Sequence, residues 1–196
     1  SAIMWPSDHH DTLGGQMPNF IAAGMNFGLA AFSDKVFTWG DNLYAQLGVP
    51  STSISSSSSM VQVSNIPGGT VITGASASDA TAFILTSTGS IYFWGRSGLC
   101  SKSSCLPNSM GWSGAYTDMP SGAGVFPTLM QLPAGFQATT LPTPRNLDTM
   151  VVHLLGTYTP PSASNNGILT DALVGWGSRA NGGSDTLAIP PGNSSF

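Results

Sequence analysis

The sequence predicts an all-β fold in which small antiparallel sheets repeat along the chain. Gly and Pro are frequent (24 and 14 residues), Ser and Thr are abundant, and only 7% of the 196 residues are charged. This composition is typical of short strands joined by turns, and the 41% of hydrophobic residues suffice for a buried core. A Trp-Gly pair recurs at Trp39-Gly40, Trp94-Gly95 and Trp176-Gly177, which indicates an internal repeat.

Two sequence marks alternate along the chain. The Trp-Gly pairs end short apolar runs, and Trp5 belongs to a degenerate first copy in which Pro6 replaces the glycine. The second mark is an apolar residue before a proline, at Pro18, Pro67, Pro133 and Pro190. Their alternation predicts a single domain, 1–196, made of a partial unit 1–18, three units at 19–67, 68–133 and 134–190, and a tail at 191–196.

Two strand-like runs lie between each proline mark and the next tryptophan. They are "GLAAF" and "KVFTWG" in the first unit, "TAFILT" and "SIYFWG" in the second, and "MVVHLL" and "ALVGWG" in the third. Ser33-Asp34 joins the first pair, "STG" joins the second, and the enlarged loop 156–170 separates the third. Antiparallel runs in units of about 50 residues match the blades of a β-propeller.

The stretch "VFTWGDNLYAQLG", residues 36–48, is the most complete copy of the repeat. It resembles the repeat signature of the regulator of chromosome condensation family, in which a strand ends in Trp-Gly before a polar pair, an aromatic and Gly-Gln-Leu-Gly. The residues in register are Val36, Trp39, Gly40, Asp41, Asn42, Tyr44, Gln46, Leu47 and Gly48. Ala45 replaces the usual glycine, and the histidine that the family has early in each blade is absent, with Thr81 at that place in the second unit.

The residues of this motif are interpreted as structural. A tryptophan at the end of a strand has the size to fill the wedge between adjacent blades, so Trp5, Trp39, Trp94 and Trp176 are predicted core residues. The glycines after them, Gly40, Gly95 and Gly177, allow a backbone turn that a Cβ atom would obstruct. We expect Asn42 to form an Asx-type turn, Gln46 and Gly48 to complete the loop, and the loop to take a φ that Ala45 tolerates.

The number of repeats is small for a propeller. About three full units are present, whereas closed propellers have about four to eight blades and members of the resembled family typically have seven. An open arc would expose strand edges. We therefore expect a segment of a longer polypeptide, or a ring completed by copies of this chain or by partners.

The charge pattern disfavours several classes of partner. The five basic residues, Lys35, Arg96, Lys102, Arg145 and Arg179, are scattered and the net charge is −4, so neither nucleic acid nor an anionic membrane surface is an expected partner. The most apolar window, 20–32, is shorter than the roughly 18 residues of a membrane-spanning helix, and no membrane insertion is predicted.

Cysteine spacing and hydroxyl-rich segments favour an extracellular or cell-surface location. Cys100 and Cys105 bracket "SKSS" and are predicted to form a disulfide that closes a small loop, with two free cysteines as the alternative. Asn193 begins an N-glycosylation sequon. The segment "STSISSSSS" (51–59) is predicted to be a low-complexity loop, and "TPPSAS" (159–164) is rich in Pro and Ser, so attached glycans are expected to supply solubility.

Catalytic or metal-binding patterns are weak. Asp8, His9, His10 and Asp11 are adjacent and point to opposite faces of an extended chain, so they predict an exposed polar loop rather than a metal site. His153, inside "MVVHLL", is interpreted as a core or edge-strand residue. Because neither a nucleophile elbow nor a phosphate-binding loop is present in the sequence, we expect a protein that is not an enzyme and needs no cofactor or metal.

The preferred hypothesis is an extracellular structural or protein-binding module. It would form a homo-oligomer, a filament or a larger glycosylated assembly, and would present segments 51–59, 98–126 and 156–170 to other protein chains. The family resemblance implies a different function, a guanine-nucleotide-exchange regulator of a small GTPase. A third hypothesis is a secreted enzyme inhibitor, because the chain also resembles a β-lactamase inhibitor of this fold.

Overall fold

The structure is a computed structural model, and it describes most of the first two repeats and part of the third. The described residues are 15–78, 80–95, 125–130, 132, 134–141, 151–159 and 169–177. For residues 151–153, 169–171 and 173–177 it describes the backbone alone.

In the described part of the chain, three antiparallel sheets follow one another. The first contains β1 (Phe20–Ala23), β2 (Phe27–Ala31), β3 (Val36–Asp41) and β4 (Ser56–Gln62), paired in that order. The second contains β5 (Ile72–Ser78), β6 (Thr81–Thr86), β7 (Ile91–Gly95) and β8 (Thr128–Leu129), also in chain order. The third contains β9 (Phe136–Ala138), β10 (Val151–Tyr158) and β11 (Leu169–Gly177). The all-β prediction is therefore confirmed.

The three Trp-Gly pairs occupy the same register in their sheets. In each sheet, the tryptophan pairs with the second residue of the strand that precedes its own (β2, β6 or β10), and the glycine pairs with the first residue of that strand. The pairs are Gly28↔Trp39 and Phe27↔Gly40, Ala82↔Trp94 and Thr81↔Gly95, and Val152↔Trp176 and Val151↔Gly177. The Trp-Gly repeat of the sequence is thus also a repeat in three dimensions.

Two hydrophobic cores lie between the successive sheets, and β6 contributes to both. Ala82 and Ile84 belong to the core shared with the first sheet, whereas Phe83 and Leu85 belong to the core shared with the third sheet. Alternate residues of a strand point to opposite faces, which explains this division. Because both faces are covered, every residue of β6 is buried and its sequence is a continuous run without a polar face.

The sheets are joined by equivalent hydrogen bonds at one end, which we call the turn end. It holds the β2–β3 turn, the β6–β7 turn and the segments that enter β5 and β9. The Ile72 N–H donates to the Ser33 carbonyl at 2.8 Å, and the Ala138 N–H donates to the Gly89 carbonyl at 2.9 Å. The opposite end, called the loop end, holds the β1–β2 turn and the long β3–β4 connection.

Two segments predicted as loops are partly strand, so those predictions are wrong in part. Ser56–Ser59 of the serine-rich segment 51–59 lie in β4, where Ser56 pairs with Asp41 and Ser57 with Gly40. In segment 156–170, Gly156–Tyr158 continue β10, and Leu169 already belongs to β11. The serine run lacks the β-branched and aromatic residues that favour strands, so its pairing with β3 decides the structure, whereas Thr157 and Tyr158 favour strands themselves.

No helix in the described part of the chain is long and apolar enough to cross a membrane. The apolar window 20–32 instead forms β1 and β2 with the turn between them.

Candidate interaction surface at the loop end

The connection from β3 to β4 is organised around the fully buried side chain of Asn42. Its Nδ2 donates to the carbonyls of Ile54 (2.6 Å) and Val49 (3.1 Å), and its Oδ1 accepts from the Leu47 N–H (2.8 Å). An Asx turn would reach a backbone group two residues away. These hydrogen bonds connect Asn42 to residues 5, 7 and 12 positions further along the chain, so its side chain stabilises the whole loop rather than one turn.

Gln46 closes the loop from the other side. Its Nε2 donates to Asp41 Oδ2 at 3.0 Å, and its Oε1 accepts from the Tyr44 N–H at 2.8 Å. The Thr38 hydroxyl, on β3, donates to the Leu47 carbonyl at 2.9 Å. The polar side chains of the motif are thus used inside the protein, which makes the loop rigid.

Ala45 adopts the conformation for which the family uses glycine. Its φ is +62°, and its N–H donates to the Asn42 carbonyl at 3.1 Å. A non-glycine residue in this left-handed region carries strain of about 1–2 kcal/mol. The loop thus has a φ at position 45 that alanine can adopt only at this cost, and the buried Ala45 bears the strain.

Trp94 links this loop to the second sheet. The indole is fully buried in the core between the first and second sheets, and its Nε1 donates to the Gln46 carbonyl at 3.1 Å. Trp94 therefore lies between two sheets, as the wedge interpretation predicts. Trp39 is also buried, and it shares a face with Gly28, whose missing Cβ leaves room for the indole.

The glycines that follow these two tryptophans are required by the backbone. Gly40 has a φ of +107° and Gly95 has a φ of +97°. A Cβ atom at Gly40 would collide with the Asn26 carbonyl oxygen, and one at Gly95 would collide with the Ala80 carbonyl oxygen. Each glycine thus lets the strand end come close to the preceding turn.

Among the residues that the structure describes, three large hydrophobic side chains are exposed at the loop end. Leu43 (66% exposed) and Tyr44 (42% exposed) are the two exposed residues of the motif loop between buried Asn42 and buried Gly48. Met25, in the β1–β2 turn, is 66% exposed. The backbone carbonyl of its neighbour Asn26 accepts a hydrogen bond from the Asp41 N–H at 2.9 Å, which connects this turn to the start of the loop. We call Met25, Leu43 and Tyr44 the loop-end patch.

Several predicted site residues are not part of this surface. Trp5, Cys100, Cys105, Asn193 and the group Asp8, His9, His10 and Asp11 lie outside the described residues, as does most of segment 98–126. His153, Trp176 and Gly177 are described by their backbone in β10 and β11. Among the residues that the structure describes, no three His, Cys, Asp or Glu side chains are close enough to hold a metal ion.

Solved structures with a similar fold include yeast regulator of chromosome condensation (RCC1) and human WBSCR16. Yeast RCC1 (Prp20) in complex with Kap60 aligns with a TM-score of 0.52 at 19% identity, over 83% of this chain and 32% of that one. Prp20p of Saccharomyces cerevisiae, which binds Gsp1p and histones, aligns with a TM-score of 0.50 at 21% identity, over 81% of this chain and 32% of that one. This chain has an RCC1-type repeat fold.

The RCC1-type assignment rests on structure, because the sequence similarity is low. Human WBSCR16 aligns with a TM-score of 0.59 at 12% identity, over 88% of this chain and 37% of that one. The chain thus spans about a third of the length of these structures. No protein-family model matches the sequence, and no curated protein matches it.

Sequence reasoning found the RCC1-type motif but not the surface that it builds. Leu43 and Tyr44 are apolar and adjacent, and nothing in their spacing distinguishes them from core residues. The signal that separates them is their position between Asn42 and Gln46, whose polar side chains turn inward and leave them outside.

Proposed function

We propose that this chain is a protein-binding segment of an extracellular propeller protein, and that it associates with other chains through the loop-end patch. The observation that supports this proposal is the exposure of Leu43 and Tyr44 on a loop whose polar side chains are bonded internally. Large exposed apolar side chains lose contact with water when a partner covers them, and this stabilises a complex.

The rigidity of the loop favours binding. A loop held by Asn42, Gln46 and the Trp94 indole loses little conformational freedom when a partner docks. Tyrosine is enriched among the residues that dominate binding energy, because it combines a large apolar ring with a polar hydroxyl. The partner in this proposal is another protein chain, either a second copy or a different member of one assembly.

The location is part of the same proposal. The low content of charged residues, the Cys100–Cys105 spacing and the sequon at Asn193 support a chain that is secreted, glycosylated and closed by a small disulfide. Intact-mass measurement of native material tests this part, because glycans and a disulfide each change the mass. Free thiols together with an unglycosylated mass would contradict it.

Sedimentation of the full chain at rising concentration tests the association. Leu43→Ser removes an apolar contact from the patch, whereas Ile21→Ser makes the same kind of change at β1, where Ile21 is 63% exposed and outside the patch. We expect Leu43→Ser to weaken association about tenfold, whether the partner is a second copy or another chain of the native assembly. We expect Ile21→Ser to associate as strongly as the wild type. Equal effects of both substitutions would contradict a role for the patch.

The second candidate function is nucleotide exchange on a small GTPase, which the family resemblance implies. The observation that favours it is the fold shared with yeast RCC1 (Prp20). A nucleotide-release assay with a panel of small GTPases tests it. Faster release in the presence of this chain would support exchange activity, and unchanged release with intact partner association would favour the first proposal.

A further inference from the structure

The turn end of the second sheet contains a cleft that the proposed function does not use. It lies between the linker that enters β5 and the β6–β7 turn, and has a volume of about 170 Å³. Gly68 and Thr70 line it on the linker side, and Thr86, Ser87 and Thr88 line it on the turn side. Tyr92, on β7, also lines the cleft.

The walls of this cleft are held in place by hydrogen bonds between them. The Ser87 N–H donates to the Val71 carbonyl at 2.8 Å, which joins the β6–β7 turn to the linker. On the linker, the Thr70 hydroxyl and N–H both donate to the Pro67 carbonyl, at 2.6 and 3.2 Å. The glycine at position 69 has a φ of +79°, as the third residue of a tight turn requires.

Hydroxyl groups dominate the polar lining. Three of the lining residues, Thr70, Ser87 and Thr88, carry hydroxyls; Ser87 and Thr88 are exposed and Thr70 is half-buried. The hydroxyl of Thr86 is buried and bonds to Thr88 Oγ1 at 2.8 Å and to the Ser90 backbone. None of the described residues that line the cleft is charged. A hydroxyl both donates and accepts hydrogen bonds, whereas a charged ligand would lose hydration without meeting an opposite charge.

We infer that this cleft binds one ring of a neutral sugar. Each hydroxyl of a sugar ring both donates and accepts hydrogen bonds, which suits the hydroxyl-bearing residues Thr70, Ser87 and Thr88 that line the cleft. Its C–H faces pack against apolar and aromatic surface, which Val71 and Tyr92 provide. The cleft is smaller than the roughly 300–1,000 Å³ of pockets for drug-sized ligands, so it holds a single ring of a monosaccharide or of a longer glycan.

Gly68 offers a substitution at the wall of the cleft that the fold can tolerate. An ideal Cβ at Gly68 meets no heavy atom within 4 Å, and its backbone is outside the left-handed region. Gly68→Leu therefore adds a bulky side chain to a lining position at little steric cost. Ser53→Leu is the matched control, because Ser53 is exposed in the β3–β4 connection, away from the cleft. Thr88→Val removes one hydroxyl of the lining and keeps the shape of the side chain.

Amide NMR spectra of the full chain, recorded during titration with three methyl glycosides (of mannose, galactose and N-acetylglucosamine), test the inference. We expect at least one glycoside to cause saturable shifts of the Gly68, Thr70 and Ser87 amide signals, with a Kd of about 1 mM. Gly68→Leu should weaken this binding at least about tenfold, Thr88→Val should weaken it several-fold, and Ser53→Leu should leave it unchanged. A trisaccharide of the binding sugar distinguishes a terminal ring, which binds equally well, from an internal ring, which binds more tightly.

Three results would overturn the inference. They are the absence of saturable shifts at these amides with all three glycosides, an unchanged Kd in Gly68→Leu, and an equal response to sodium acetate, which would indicate an anion site. None of them bears on the loop-end patch, because the cleft lies at the opposite end of the sheets.

Discussion

Replacing Asn42 by Asp changes one atom of the motif loop and should destabilise the protein severely. The substitution keeps the acceptor that receives the Leu47 N–H but replaces the donor Nδ2 by a second oxygen. That oxygen would face the carbonyl oxygens of Ile54 and Val49, which now accept from Nδ2 at 2.6 and 3.1 Å. No water can compensate, because the Asn42 side chain is fully buried.

The size of the effect follows from the interactions lost. Two hydrogen bonds contribute about 1 kcal/mol each, and a buried charge without a partner adds a further penalty, so we expect a loss of at least about 3 kcal/mol at neutral pH. Urea unfolding of the full chain measures this loss. Asn19→Asp is the control, because Asn19 is exposed at the start of β1 and the same chemical change there should cost less than about 0.5 kcal/mol.

The loss should depend on pH in a defined direction. Burial and the facing carbonyls raise the pKa of the introduced carboxyl in the folded state above its unfolded value of about 3.9. The folded variant therefore binds this proton more tightly than the unfolded chain does. The loss of unfolding free energy relative to the wild type is smallest below about pH 3.9 and grows as the pH rises toward the folded-state pKa. A variant within about 1 kcal/mol of the wild type at neutral pH, or a deficit independent of pH, would refute the role given to Asn42.

Three further predictions concern the seams of the fold, each measured by urea unfolding of the full chain. Trp94→Phe leaves the Gln46 carbonyl without its indole donor and opens a void, so we expect a loss of about 2–3 kcal/mol; an unchanged stability would mean that this bond contributes nothing. Gly95→Ala should lower the unfolding free energy by at least about 2 kcal/mol, because Gly95 has a φ of +97° and a Cβ there would meet the Ala80 carbonyl. The control Gly68→Ala should stay within about 1 kcal/mol of the wild type. Similar losses for both variants would argue against backbone strain at Gly95. Ala45→Val should lower the unfolding free energy by at least about 2 kcal/mol, because a β-branched residue is strained at φ +62°. Ala45→Gly should stay within about 1 kcal/mol of the wild type, because relief of the backbone strain offsets the added flexibility of the unfolded chain.

The repeat and its strands could be predicted from the sequence because they depend on local patterns. Trp39 and Trp94 mark strand ends that the register confirms, and the predicted hairpin partners "TAFILT" and "SIYFWG" pair as β6 and β7. These segments combine β-branched and aromatic residues with turn residues between them, so local preference and final structure agree.

The remaining features depend on contacts distant in sequence. Ser56–Ser59 have no alternation and a low strand preference, and they form part of β4 because β3 provides an edge to pair with. The strain at Ala45 results from the hydrogen bonds that fix the loop around it. The cleft at the turn end combines Gly68 with Thr88, from two segments that no short motif connects.

The bond between the Trp94 indole and the Gln46 carbonyl sets the size of the piece that can be exchanged between proteins of this fold. A junction between β4 and β5 keeps each sheet intact, because the first sheet ends at β4 and the second begins at β5. However, it places the motif loop and the Trp94 indole that bonds to it in pieces from different proteins. A transferable module instead extends from the loop of one sheet to the tryptophan of the next, here from Asn42 to Trp94. Chimeras joined outside this segment, for example at the β2–β3 turn, should therefore retain more stability than chimeras joined between β4 and β5.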